Sequence, residues 1–130
     1  MAEQKRTILH ADDEASWRDY VKSLLSDQYQ VEFAKDFEST LARLEKGGID
    51  LLILDHLMPG TEPNDDAVAV CAELRQKYPK LPVLVFSGAL IDAPMTREEF
   101  ERAVGAPVVL KEDAGANREL LRARVEECLR

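Results

Sequence analysis

Apolar residues in this chain fall into five short runs, each bounded by polar or turn-forming residues. Runs of this length, with little internal alternation, are typical of strands covered on both faces of a parallel sheet. We therefore predict five β-strands, at Thr7–Ala11, Gln30–Ala34, Ile49–Asp55, Val83–Phe86 and Val108–Leu110.

The segments between these runs carry apolar residues at helical spacing, with polar residues on the other face. Helix-start and helix-end signals support the pattern: Asp36 can cap the second helix, the Gly47-Gly48 pair ends it, and Gly105 closes the fourth. The predicted helices are Ala15–Ser26, Phe37 to the Gly47-Gly48 pair, Asp65–Tyr78, a short helix opened by a capping box at Thr96-Arg97-Glu98-Glu99 and closed by Gly105, and Ala116–Leu129.

Strict alternation of strand and helix predicts an α/β fold, a parallel sheet with helices on both faces. Right-handed connections leave few topologies, and we predict the doubly wound, flavodoxin-like order 2-1-3-4-5 with five helices. The expected organisation is one domain over residues 1–130, with no output domain in this chain.

Polar side chains follow four of the predicted strands at the point where each strand ends. They are Asp12 and Asp13, Asp55, Ser87 and Lys111. The carboxyl ends of parallel strands meet at one edge of the sheet, where open α/β folds bind their ligands. Three clustered carboxylates should repel one another, raise each other's pKa and favour a hard cation such as Mg²⁺.

Overall charge narrows the range of partners. The chain has 17 Lys and Arg against 25 Asp and Glu, a formal net charge of −8. This balance argues against binding to nucleic acid or to an anionic membrane. No apolar stretch approaches the roughly 20 residues of a membrane span. Cys71 and Cys128 show no disulfide or metal spacing, which favours reduced thiols and a cytoplasmic location.

Taken together, these motifs resemble the receiver domain of bacterial two-component response regulators over essentially the whole chain. The residues that carry the resemblance are Asp12-Asp13-Glu14, Asp55 with Met58-Pro59, Ser87 and Lys111. Each motif is weak alone, but their order and spacing together are specific.

The resemblance implies a phosphorylation switch rather than an enzyme acting on other molecules. Asp55 would accept a phosphoryl group from a phosphohistidine of a sensor histidine kinase or histidine phosphotransfer protein. Ser87 would hydrogen-bond the phosphoryl group, and Lys111 would pair with one of its oxygens. Output would pass by contact to a protein that the sequence does not identify.

The resemblance also implies a Mg²⁺ site. Asp13 and Asp55 would bind the ion directly, Asp12 mostly through water, and the backbone carbonyl of Leu57 would supply another ligand. These are the oxygen ligands that Mg²⁺ prefers.

Four features depart from the family pattern. Glu112 follows Lys111 where receivers usually have proline, and Val108 stands where an aromatic switch residue is common. The segments Gly60–Asp66 and Ala89–Met95 are longer than usual. These departures keep open a second interpretation, a pseudo-receiver that docks partners without turning over phosphate. An aspartate-nucleophile phosphatase is disfavoured, because Leu57 stands where its second Asp would be.

Three other residues near the strand ends are expected to have structural roles. His56 should point away from the pocket, because adjacent strand residues face opposite sides. His10 should also point away from the neighbours of Ala11 and be structural or exposed. Trp17 is expected to pack in the first helix rather than contact a ligand.

One kinetic prediction follows from Leu57 and Ala89, which flank the pocket at positions that influence hydrolysis of the aspartyl phosphate in the family. Both are apolar and cannot orient an attacking water. We expect the phosphorylated form to lose its phosphate slowly, as followed by intact-mass spectrometry after removal of the phosphodonor. A lifetime of seconds would contradict this expectation.

Overall fold

A single parallel sheet organises the molecule. The computed structural model describes residues 5–55, 67–87 and 97–130. Within these residues the strand order is β2-β1-β3-β4-β5, so the predicted doubly wound fold is confirmed. The third strand is shorter than predicted from the sequence. The strands are β1 (Thr7–Ala11), β2 (Gln30–Ala34), β3 (Leu51–Leu54), β4 (Val83–Ser87) and β5 (Val108–Leu110).

The five predicted helices are present, and a short additional helix follows β5. This extra helix begins at Lys111 itself, in a region that the sequence patterns left unassigned. The helices among the described residues are α1 (Ala15–Leu25), α2 (Phe37–Glu45), α3 (Ala67–Lys77), α4 (Arg97–Val104), the short α5 (Lys111–Ala116) and α6 (Arg118–Cys128).

Two apolar cores cover the two faces of the sheet, because successive strand residues point to opposite sides. The α1 and α6 side contains Trp17, Tyr20 and Phe86, and the other side is filled mainly by aliphatic strand residues against which α2 and α3 pack. Buried members of the first core include Ile8, Val21, Leu24, Leu25, Ile53, Phe86, Leu121 and Val125. Buried members of the second include Leu9, Leu44, Leu52, Leu54, Cys71, Leu74 and Val85.

Local signals at the helix ends act as the sequence predicts. The Asp36 side chain accepts a hydrogen bond of 2.7 Å from the Ser39 amide and caps α2. Gly47 and Gly48 follow that helix with φ of 77° and 84°, a backbone region that favours glycine. Gly105 ends α4 with φ of 68°.

Some sequence predictions fall on parts of the chain outside the described residues. These are the orientation of His56, the role of Leu57, the two long segments Gly60–Asp66 and Ala89–Met95, and the capping residue Thr96. Within the residues that the structure does describe, no helix is both long enough and apolar enough to cross a membrane.

The packing of α6 on the sheet gives a direct test of the fold. Leu121 is fully buried in the core between α1 and α6. We expect Leu121→Ala to lower the free energy of unfolding by about 2–5 kcal/mol, because it removes buried methyl groups and leaves a cavity. Urea denaturation measures this change. Glu126→Ala, on the exposed face of the same helix, should change stability by less than about 0.5 kcal/mol. Equal losses for the two variants would contradict this packing.

Candidate functional site

Two carboxylates lie side by side because the sheet continues one residue beyond two neighbouring strands. The Asp12 amide donates to the Ala34 carbonyl at 2.9 Å, and the Asp55 amide donates to the Ala11 carbonyl at 2.9 Å. These bonds fix the backbone of both acids at the carboxyl edge of the sheet. Asp12 is fully buried and Asp55 is 5% exposed.

The Lys111 side chain reaches both acids. Ser87 pairs in register with Leu110, so Lys111 follows directly beside the end of β4. Its ammonium nitrogen lies 2.9 Å from Asp12 Oδ2 and donates a long hydrogen bond of 3.4 Å to Asp55 Oδ2. Because Lys111 is only 3% exposed, it is a buried cation paired with two carboxylates and not a surface lysine.

Aromatic rings surround the remaining side of the Lys111 ammonium. It lies 5.6 Å from the centre of the Trp17 ring and 5.7 Å from that of Phe86, within the range of cation–π attraction. Trp17 meets Phe86 edge to face at 5.3 Å. The Tyr20 hydroxyl donates to the Ala114 carbonyl at 2.8 Å and ties α1 to α5. Trp17 therefore packs in the core, as expected, and its ring also lies against the Lys111 ammonium.

Asp12 is also held by residues that come just after it in the chain. Its Oδ1 accepts a hydrogen bond of 3.0 Å from the Glu14 amide, and its carbonyl accepts one of 2.9 Å from Arg18 Nη1. The N-cap of α1 is Glu14, whose side chain makes no capping bond. Asp12 thus secures the turn before α1 but does not occupy the cap position.

His10 lies behind Asp12 and is fully buried. Its imidazole faces away from Ala11, as predicted, but the alternative of an exposed position is wrong. Residues two apart in a strand share a face, so His10 and Asp12 project together into the α1 and α6 side. Nε2 of His10 is 3.4 Å from Asp12 Oδ2, and the ring lies between Phe33 and Phe86, each 6.2 Å away between ring centres.

The electrostatics of Asp12 correct one expectation. Burial alone would raise its pKa, but contacts with His10, the Glu14 amide and Lys111 outweigh burial and lower the pKa to about 2. Repulsion among the acids was expected to raise the pKa of Asp12, but the contacts with His10, the Glu14 amide and the Lys111 ammonium together lower it. Burial opposes the charge of Lys111 too, yet Asp12 and Asp55 raise its pKa above the ordinary value. Burial lowers the pKa of His10 despite the adjacent Asp12.

Three carboxylates have the arrangement of a cation site. One oxygen from each of Asp12, Asp13 and Asp55 can be chosen so that all three lie within 4.8 Å of one another. Asp13 is exposed and the other two are buried, so an ion could enter from solvent and be held from inside. Hard oxygen ligands that leave room for water suit Mg²⁺, and the predicted donor set therefore fits that ion.

The structure brings most of the predicted site together. Asp12, Asp13 and Asp55 form one cluster, Lys111 bridges two of them, and Ser87 is buried at the neighbouring strand end. Leu57, the fourth predicted metal ligand, lies outside the described residues.

Sequence patterns missed two contributions to this site. His10 faces Asp12, and Arg18 holds the Asp12 backbone. Strand alternation could have placed His10 on the face of Asp12. No signal in the sequence pointed to Arg18.

Comparison with known proteins identifies the family. Residues 8–122 match the response regulator receiver domain, a match that covers most of the chain, and the chain belongs to that family. Receiver domains are phosphoacceptors of two-component signalling. They bind Mg²⁺ at an acidic cluster and interact with histidine kinases or phosphotransfer proteins.

Individual relatives agree with this assignment. The chain is 34% identical over 71 residues to the transcriptional regulatory protein ResD of Bacillus subtilis; the match covers 54% of this chain and 28% of ResD, so the chain spans only part of that relative. The receiver domain of NtrX from Brucella abortus superposes with a TM-score of 0.71 at 33% identity, covering 94% of this chain and 97% of that domain.

A third relative was solved in a complex that contains Mg²⁺. TrrA of Thermotoga maritima, a response regulator in complex with Mg²⁺ and BeF, superposes with a TM-score of 0.73 at 25% identity. The superposition covers 95% of this chain and 99% of TrrA.

The lowered pKa of Asp12 predicts a loss of stability in acid. Folding lowers this pKa from 3.8 to about 2, so the stabilisation is complete above the ordinary value and is lost as pH falls through the folded one. Asp12→Asn lacks the contribution throughout. In metal-free buffer, the difference in free energy of unfolding between wild type and Asp12→Asn should therefore narrow by about 1 kcal/mol from pH 6 to pH 3.

Urea denaturation across this pH range makes the measurement. The matched control is Asp19→Asn, which removes an exposed carboxyl of α1 that lies outside the pairing with Lys111. If the difference in free energy of unfolding between wild type and Asp12→Asn stays constant from pH 6 to pH 3, the pairing of Asp12 with Lys111 is contradicted.

Proposed function

We propose that this chain is a phosphorylatable receiver whose phosphoacceptor is Asp55. The observation that carries the proposal is the contact between the Asp55 carboxylate and the buried Lys111 ammonium, beside a cluster of three acids. A carboxylate is already ionised at neutral pH and needs no base to become a nucleophile. Phosphoryl transfer then depends mainly on alignment and on neutralising charge.

Each site residue has a distinct part in this proposal. Asp12, Asp13 and Asp55 hold Mg²⁺, with the Leu57 carbonyl as a further proposed ligand. When bound, the ion neutralises charge on the transferring oxygens. Lys111 acts as a point charge for a phosphoryl oxygen, and Ser87 donates its hydroxyl to another.

The transfer step exchanges one bond for another. An Asp55 carboxylate oxygen bonds to phosphorus as the bond from phosphorus to the donor histidine nitrogen breaks, and the nitrogen keeps the electron pair. The donor is a histidine kinase or a histidine phosphotransfer protein. The new dianionic group then competes with Asp12 for Lys111, which changes the charge at the sheet edge.

We propose that the chain acts in the cytoplasm as one receiver domain and signals by protein contact. Its net charge of −8 disfavours nucleic acid as a direct partner. It would catalyse only its own phosphorylation and dephosphorylation and would not act as an enzyme on other molecules.

A pseudo-receiver remains the second candidate because of the structure after β5. The backbone enters α5 directly at Lys111, with Glu112 in its first turn, and Val108 opens β5 in place of an aromatic switch. A docking module could keep the fold without phosphate turnover. The Lys111 contacts with two acids favour the active receiver over this alternative.

Intact-mass spectrometry after incubation with Mg²⁺ and acetyl phosphate tests the proposal. We expect one added phosphoryl group on wild type and none on Asp55→Asn, because the amide is not a nucleophile for this transfer. The matched control, Asp19→Asn, should be modified like wild type. Lys111→Met should be modified more slowly, because the phosphoryl charge loses its counter-ion.

Mg²⁺ binding separates the two candidates when no adduct forms. Trp17 is the only tryptophan in the chain and lies close to Lys111, so its fluorescence should change on titration with Mg²⁺. If wild type shows neither fluorescence change nor adduct, with acetyl phosphate or a kinase, the docking module is the better account.

A further inference from the structure

His10 is an unusual residue to find on β1, an interior strand of this sheet. It is fully buried, yet neither ring nitrogen has a hydrogen-bond partner among the residues that the structure describes. A buried polar group without a partner costs free energy. A purely apolar side chain would fill the space between Phe33 and Phe86 without this cost, so packing alone does not account for a histidine here.

The ring is directed at one specific atom. Nε2 lies 3.4 Å from Asp12 Oδ2, the same oxygen that Lys111 approaches at 2.9 Å. Neither contact has hydrogen-bonding geometry, so Oδ2 itself is buried without a hydrogen bond. The other oxygen, Oδ1, is already held by the Glu14 amide. Oδ2 thus has two nearby potential donors and is fully engaged by neither.

We propose that His10 is a positioning residue that holds the Asp12 carboxylate in its metal-binding orientation by donating from Nε2 to Oδ2. The inference rests on the proposed function, because it concerns the same Mg²⁺ site. It assigns a role to a residue that lies behind the cluster and is not itself a predicted ligand. Groups that hydrogen-bond a ligating carboxylate commonly control metal affinity in this way.

A movement of Lys111 on phosphorylation would account for the need for a second donor. A phosphoryl group on Asp55 would draw the ammonium away from Asp12, leaving Oδ2 buried and anionic. His10 cannot follow, because its ring is fixed between two aromatic residues on β2 and β4. It therefore stays in place as the nearest remaining donor, toward which Oδ2 can turn when Lys111 leaves.

Calorimetric titration with MgCl₂ tests the proposal on wild type, His10→Val and His10→Gln. Valine removes the donor, and we expect the Mg²⁺ dissociation constant to rise roughly tenfold. Glutamine can place an amide nitrogen near the position of Nε2 and should bind closer to wild type than to the valine variant. Thermal unfolding without metal provides the second readout, which shows that both His10 variants are folded before their Mg²⁺ affinities are compared.

A matched control comes from Ile53→Val, at the register partner of His10 on β3. Ile53 is equally buried but has no polar atom, so this variant should lose stability and keep its Mg²⁺ affinity. Wild-type affinity in His10→Val would overturn the proposal, as would equal weakening in His10→Gln. If wild type itself binds no Mg²⁺, the proposed receiver function fails instead, so the two failures are distinguishable.

Discussion

A buried ammonium between two carboxylates is the interaction on which the rest of this site depends. Lys111 pairs with both Asp12 and Asp55 and, together with His10 and the Glu14 amide, lowers the pKa of Asp12 when burial alone would raise it. Without that positive charge, two acids could not both remain ionised in a buried position. The same charge is the group that a phosphoryl oxygen would recruit. The contact of Lys111 with the two acids therefore contributes both to the stability of the unphosphorylated protein and to the proposed phosphoryl transfer.

The parallel sheet makes this contact possible by bringing together residues far apart in sequence. Asp12 and Asp55 are joined through the ladder between β1 and β3, and Lys111 is separated from Asp55 by 56 positions. The Trp17 and Phe86 rings of the surrounding core lie against the Lys111 ammonium and hold it by cation–π attraction. The apolar core on the α1 and α6 side of the sheet therefore stabilises the fold and also excludes water from the ion pair of Lys111 with Asp12 and Asp55.

The sequence predicted the fold and the principal acids because their signals are local. Leu51–Leu54 is a continuous apolar run, and Asp55 follows it directly, so both strand and acid are visible without knowing the partner strands. Strand alternation places His10 on the face of Asp12, but the burial of that ring between Phe33 and Phe86 depends on tertiary packing that the sequence pattern does not show. The short α5 was missed because Lys111–Ala116 is a weak helical sequence containing Gly115, formed where Ala114 is buried against the core.

The hydrogen bond from the Tyr20 hydroxyl to the Ala114 carbonyl connects helix α1 directly to helix α5. Lys111 is the first residue of α5, and its ammonium lies against Trp17 of α1. The position of the Lys111 side chain therefore depends on both α1 and α5, which are far apart in the sequence. A chimera that transplants this β5–α5 region onto the scaffold of another regulator must carry matching residues at the positions of Trp17 and Tyr20, or the transplanted lysine will lack the surface that orients it.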